Sequence, residues 1–280
     1  MGIRIAINTY SGKRQIIAEI LPKKFRIWKN EPIQIADPFL YYHKSKGFYC
    51  FYEEKSKAKQ GVLKALNLDN KCKVDIELLP GVHLSFPFLI NDGKRTYMVP
   101  ETAELNEVAL YVEEVFPTSW KKLKTLLTGD YVDTHILFRG EDYYLFTTLK
   151  ESGQYILKLF NSKNIAGPYA EHPKSPLHVG RKYGRSAGSV IETAEKTYRF
   201  SQDCETHYGK EVHMFEVLKL NETEYEEVLV QENLIKEKFQ NSLGGHHVSS
   251  VKHPKMGEVW AVDMNFKDSY FQRFIDKFFH

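Results

Sequence analysis

Apolar residues in this chain come in short runs separated by turn residues, and the runs come in pairs. In residues 84–102, LSFPFLINDGKRTYMVPET, two such runs, FPFLI at 86–90 and TYMV at 96–99, flank Asn91, Asp92, Gly93 and Lys94. An Asp-Gly pair between two apolar runs favours positive φ and so predicts a tight β-hairpin. Pro87 stands at the start of the first run, and Glu101 follows the second. The same grammar recurs at residues 35–54, 131–147, 185–203 and 246–263. From Pro38 to Pro87 is 49 residues, from Pro87 to Thr134 47, from Asp133 to Arg185 52, and from Arg185 to His246 61. A period near 50 built of strand hairpins predicts an all-β, five-bladed β-propeller in which each repeat is one four-stranded blade.

The blades are expected at about residues 35–80, 81–128, 129–177, 178–235 and 244–265, all within one domain. Residues 3–7, IRIAI, alternate as a strand does. They are expected to pair with the last blade, closing the ring and removing its free edges. The segment SWKKLKTLLT at 119–128 suits the outer strand of blade two better than a helical turn. Near the C-terminus Phe271, Phe274, Ile275, Phe278 and Phe279 recur at helical spacing, which predicts a short C-terminal helix on the propeller rim.

Composition narrows the class. With 39 basic against 36 acidic residues among 280, the net charge of +3 is too balanced for a nucleic-acid footprint. Three widely spaced cysteines, Cys50, Cys72 and Cys204, give neither a disulfide framework nor a zinc site. Residues 1–14, MGIRIAINTYSGKR, hold no apolar core of signal-peptide length, and no membrane-spanning run follows. A cytoplasmic protein without cofactor or integral membrane segment is expected; the composition is silent on oligomeric state.

In a propeller the first strand of each blade lines the axis, so residues at its head converge on one hollow. Here those residues are Asp37, Ser85, Asp133, Arg185 and His246: two carboxylates, a hydroxyl, a guanidinium and an imidazole. Chemistry at a glycosidic bond needs such a set, with one carboxylate as base or nucleophile, another carboxyl as acid, and polar groups holding sugar oxygens. Glu101 adds a carboxyl just after Pro100, and Gln202, Asp203 and Tyr208 add polar density on blade four. Each has a plainer reading. Asp37 before Pro38 can start a turn, Asp133 can cap a loop, Glu101 can bind backbone amides, and Arg185 can pair with Asp203. Neighbouring residues of a strand face opposite sides, so only one of His246 and His247 is expected in the channel, which disfavours a metal. Nothing nearby builds an electropositive setting for Cys204 as a nucleophile.

Ala36-Asp37-Pro38 before a hairpin resembles the opening of five-bladed glycosidases of the arabinanase, xylosidase and invertase type. That resemblance implies Asp37 as base or nucleophile. It also leads one to expect a glutamate acid on the third blade, where the chain offers Asp133 at the strand head and Glu141 and Glu151 in loops. The ordered set is similar, more closely, to the N-terminal propeller of plant glucosamine inositolphosphorylceramide transferases and related bacterial proteins. The matching residues are Asp37 to Phe39, Phe51 to Glu54, Leu84 to Phe88, Tyr97 to Glu101, Phe116 and Pro117 with Trp120, Asp133, Gly167 and Pro168, Arg185 to Gly188, Arg199, Gln202, Asp203, Tyr208 and Gly209. Together they span roughly residues 30–265.

The expectation is therefore a carbohydrate-active enzyme. Asp37, Glu101 and Asp133 would do the chemistry, and Ser85, Arg185, Gln202, Asp203, Tyr208 and His246 would hold the substrate. Glycosyl transfer from a nucleotide sugar in surface-glycan or polysaccharide biosynthesis leads, with Arg185 on the donor phosphate. Hydrolysis of an oligosaccharide follows, and a non-catalytic glycan-binding propeller is the competing class.

Overall fold

A computed structural model describes residues 1–8, 14–20, 32–56, 59–238 and 242–265. Five antiparallel sheets follow one another around an axis. Blade one is Pro32–His43, Gly47–Ser56, Lys59–Asn67 and Lys73–Asp75. Blade two is Ser85–Asn91, Thr96–Glu101, Glu107–Val115 and Ser119–Thr128. Blade three is Tyr131–Arg139, Asp142–Glu151 and Gln154–Ser162, with the short strands Ala170–Glu171 and His178–Val179 both on its third strand. In blade four the inner strand is broken into Arg185–Ser186 and Ile191–Glu192, both paired with Thr197–Asp203, followed by Glu211–Leu220 and Tyr225–Gln231. Blade five takes Val248–His253 and Gly257–Met264 from the end of the chain and Gly2–Asn8 and Arg14–Ile20 from its start. The expected closure by residues 3–7 is thus present, with Ile3 opposite Asp263 and Ile5 opposite Ala261. The expected C-terminal helix lies outside the described residues; a short helix, Leu234–Lys238, follows blade four instead.

Each inner sheet is buried on both faces, which is why its strands read as apolar runs and not as strict alternation. Blade one shows the consequence. Phe51 packs with Phe39, Leu63, Phe86 and Met98 on the side of blade two, while Phe48, Cys50 and Tyr52 pack with Ile3, Ile5 and Val259 on the side of blade five. The other seams are filled in the same way, by Phe146, Leu159 and Val217 between blades three and four and by Ala187, Phe200, Val248 and Val262 between four and five. The last seam is also joined by backbone: Val248 N donates to Ala187 O at 3.0 Å. Gly188 beside it has φ +103°, and a Cβ there would sit 1.9 Å from Val248 O.

An arginine is embedded in this scaffold. Arg199 is fully buried, donates to both oxygens of Glu227 at 2.7 and 2.6 Å, and lies 4.4 Å over the Phe215 ring. Tyr225 Oη donates to Glu227 at 2.5 Å, so the carboxylate is fully engaged. Removing one partner leaves the other charge buried and unpaired. Glu227→Ala is expected to lower stability by about 3–5 kcal/mol, read from urea unfolding; a loss below about 1 kcal/mol would show that Arg199 needs no partner.

Candidate functional site

The site is set by a backbone feature shared by three blades. Asp37, Phe86 and Asp133 all have left-handed φ, at 54°, 47° and 53°. At each, the pairing of inner and second strand slips, between Ala36 and Phe39, Ser85 and Phe88, and Val132 and His135. Such a bulge re-aims the residue it contains and takes its N–H out of the ladder. A side chain at the blade seam accepts that N–H. Asp37 N donates to Asp263 Oδ2, Phe86 N to Asp37 Oδ2 and Asp133 N to Glu101 Oε2, each at 3.2 Å. In blade four Ser186 N donates to Thr148 Oγ1 at 3.1 Å. Ser85, expected at the head of blade two, therefore stands one residue early; the position that matches Asp37 and Asp133 is Phe86.

Asp37 and His246 form the centre. His246 Nε2 lies 2.9 Å from Asp37 Oδ1, and its Nδ1 lies 3.1 Å from Asp263 Oδ2. Asp263 Oδ1 also accepts the backbone N–H groups of His246 and His247, at 2.8 and 3.0 Å. Burial opposes charge on both partners, but the flanking carboxylates win at His246 and raise its pKa to about 9. At Asp37, too, burial opposes charge, but the hydrogen bond from His246 and the nearby imidazoles hold its pKa at about 2. His247 does not turn away as strand alternation led one to expect: its Nδ1 is 3.6 Å from the same Asp37 oxygen. The two histidines precede the strand Val248–His253, so the pleat does not govern them. Asp37, His246 and Asp263 offer atoms within 4.8 Å of one another, a spacing that could hold a metal ion. These groups are turned on each other, however: His246 Nε2 is hydrogen-bonded to Asp37 and its Nδ1 faces Asp263, and an imidazolium between two carboxylates has no lone pair to give.

Across the hollow, Arg185 Nε donates to Asp133 Oδ2 at 2.5 Å and its Nη2 to Oδ1 at 3.3 Å. Asp133, not Asp203, is thus the partner of Arg185. Gln202 Nε2 adds a 3.3 Å contact to Asp133 and donates to Ser186 O at 2.7 Å. The guanidinium lies 5.2 Å from the Tyr155 ring and 5.0 Å from the Tyr208 ring, and Tyr208 in turn lies 4.7 Å from His246. Tyr208 is exposed and covers the cluster. Asp203 is engaged elsewhere, with Lys210 at 2.7 Å, His213 at 3.4 Å and Glu205 N at 3.0 Å. Cys204 is buried, and burial pushes its thiol up.

Two carboxyls complete the hollow. Burial first, then the charge of Asp133, raises Glu101 to about 8. Burial, then the charge of Asp37, raises Glu53 to about 8. Glu53 is the counterpart of Glu101: it stands in the second strand of blade one opposite Ala36, just before the bulge at Asp37, as Glu101 stands in that of blade two opposite Ser85, just before the bulge at Phe86. Reading from first-strand heads alone leaves it out.

The architecture is that of the five-bladed propellers of glycoside hydrolases. The α-L-arabinofuranosidase of Podospora anserina, solved with cellotriose, aligns over 88% of this chain and 94% of its own at 9% identity, with a TM-score of 0.60. A glycoside hydrolase family 43 protein of Bacillus licheniformis aligns over 95% of this chain and 53% of its own at 15% identity, with a TM-score of 0.56. Sequence is more specific. The chain belongs to the family described as glucosamine inositolphosphorylceramide transferase 1, N-terminal, which matches residues 29–263. The Arabidopsis thaliana protein called glucosamine inositolphosphorylceramide transferase 1 is 33% identical over 246 residues, covering 82% of this chain and 32% of that protein. Its namesake in Oryza sativa subsp. japonica is 27% identical over the same length. The chain thus spans about a third of the curated relatives it matches.

The shifted groups give stability a direction with pH. Glu53 and Glu101 rise from 4.5 to about 8, and His246 from 6.5 to about 9, so each of these three groups holds its proton to higher pH in the folded chain than in the unfolded chain. These stabilising contributions are complete below pH 4.5 for the glutamates and 6.5 for the histidine, and are lost as pH rises through the folded values. Asp37 acts oppositely: its contribution stands above 3.8 and is lost as pH falls toward 2. Urea unfolding is expected to show stability falling from about pH 7 to pH 9, above the range in which the buried imidazoles of His135 and His247, lowered to about 3, act in the opposite direction, with a shallower slope in Glu53→Gln and in Glu101→Gln. A flat profile would place these carboxyls at ordinary values.

Proposed function

We propose that this propeller is a carbohydrate-active enzyme working at a glycosidic bond, with glycosyl transfer as the leading reaction and hydrolysis second. One observation carries the reading: around a single hollow, Asp37 is held ionised while Glu53 and Glu101 are held protonated near neutral pH. Carboxyls whose surroundings push their pKa values apart divide the roles of base and acid. Asp37 would activate the acceptor hydroxyl or attack the anomeric carbon. Asp133, neutralised by Arg185 and steadied by Gln202, would face charge developing on the sugar ring. Arg185 has guanidinium hydrogens beyond those given to Asp133, which suit a phosphate or sugar oxygen. The exposed Tyr208 ring offers a stacking face.

The transferase named among the relatives favours transfer, and the glycoside-hydrolase propellers keep hydrolysis next to it. A glycan-binding propeller is the second reading, favoured by the exposed Tyr208 ring, which lies 4.7 Å from His246 and 5.0 Å from the Arg185 guanidinium. The test is turnover of a panel of nucleotide sugars and glycosides by the protein and by Asp37→Asn, with thermal unfolding of both. The variant is expected to fold and to lose about 10²–10⁴-fold in rate. Equal rates would remove Asp37 from the chemistry, and glycan binding without turnover would favour the second reading.

A further inference from the structure

The seam between blades one and two departs from the seams around it. At the neighbouring joints an acceptor on the second strand takes the next blade's N–H: Glu101 takes Asp133 N, Thr148 takes Ser186 N and Asp263 takes Asp37 N. Between blades one and two the corresponding residue is Glu53, but Phe86 N goes to Asp37. Glu53 is left buried, 3% exposed, facing Asp37, His246, Lys55 and Glu101, with no hydrogen bond to its carboxyl among the described residues.

Among the described residues its ion-pair neighbour is His83, whose Nε2 lies 3.6 Å from Glu53 Oε1. The tautomer of His83 is fixed by its other nitrogen. Nδ1 accepts Gly61 N–H at 2.8 Å, so the ring hydrogen sits on Nε2 and points to Glu53. Burial, then the charge of Lys55, lowers the pKa of His83, against Glu104 and Asp37, so the ring is neutral at pH 7. Glu104 Oε2 accepts the backbone N–H of His83 at 3.2 Å and fixes the loop that carries it. Gly61 makes the meeting possible. A Cβ there would lie 2.2 Å from Glu53 Oε1 and 2.6 Å from His83 Cε1, so the glycine is required for space.

We infer that Glu53 is the group that protonates the leaving oxygen, that His83 Nε2–H receives the carboxylate so formed, and that the bond cleaved is therefore a glycoside whose leaving group is an alcohol. This rests on the reading of the site as one that acts at a glycosidic bond. The C–O bond breaks with its electron pair on the leaving oxygen, which takes the proton of Glu53. The acceptor oxygen joins the anomeric carbon and gives its proton to Asp37. A nucleoside-diphosphate leaving group departs as an anion and has no use for this proton, so the arrangement selects an unactivated glycoside as donor. His83 is a positioning residue: it acts on the substrate only through Glu53.

Two measurements test this separately. The first is a titration of carboxyl-¹³C glutamate by NMR, with the Glu53 signal assigned from Glu53→Gln. Glu53 is expected to titrate well above an ordinary glutamate, and in His83→Phe its midpoint is expected to rise by about one unit, because the charged form loses its donor. An ordinary midpoint, or one unmoved in His83→Phe, overturns the pairing. The second is turnover. Glu53→Gln is expected to lose about 10²–10⁴-fold on glycosides with alcohol leaving groups and far less on 4-nitrophenyl glycosides, whose leaving group needs little protonation. In His83→Phe the alkaline limb of the rate profile is expected to move to higher pH. Full activity of Glu53→Gln on alcohol glycosides, or turnover of nucleotide sugars alone that this variant leaves intact, overturns the role. If the native protein turns over nothing, the enzyme reading falls, and the NMR titration still decides the pairing on its own.

Discussion

The structure depends on a backbone N–H that its own sheet does not use. At Asp37, Phe86 and Asp133 the chain turns into left-handed φ and directs that N–H sideways, across the seam between two blades. A buried N–H must find an acceptor, and an unpaired one costs about 1–3 kcal/mol. At these three places a side chain at the seam supplies the acceptor, so the joint adds a directional polar bond to its apolar packing. Aspartate tolerates this conformation better than most residues; phenylalanine does not, and Phe86 is held there by its full burial against Phe39 and His247.

The same bonds build the hollow. The acceptors are mostly carboxyls, and they stand at the strand ends nearest the axis, so latching the blades gathers acidic groups around one point. Their crowding then sets their charge. Asp37, beside His246 and His247, stays ionised, while Glu101, beside Asp133, and Glu53, beside Asp37, keep their protons. The fold and the division between base and acid have a common origin: a carboxylate that holds a seam raises the pKa of the next carboxyl along.

Much of this was legible in the chain. Hairpin turns and a repeat near 50 residues gave the blade count, and the alternation of residues 3–7 gave the closing strand. Asp37, Asp133 and Glu101 were readable because each follows or precedes an apolar run at the same point of the repeat. The rest was hidden by geometry that periodicity does not encode. Aligning blades on Pro38 and Pro87 puts Phe86 opposite Asp37, but a phenylalanine does not read as a site residue, and the polar Ser85 beside it does. The pleat rule misplaces His247 because His246 and His247 stand before their strand. Proximity in sequence suggested Asp203 for Arg185, whereas the ring brings Asp133 from another blade, 52 residues away. Glu53 escaped because it stands on a second strand, opposite Ala36, and not at the head of a first strand.

The seam between blades four and five has no such side chain. There the strands meet backbone to backbone, Val248 N on Ala187 O, beside a glycine with no room for even a methyl group. Other joints can exchange one acceptor for another as the sequence drifts, as the mixture of aspartate, glutamate and threonine already shows. Here the acceptor is the main chain itself, so the bond outlasts any change of side chain at Ala187, while Gly188 stays confined to glycine.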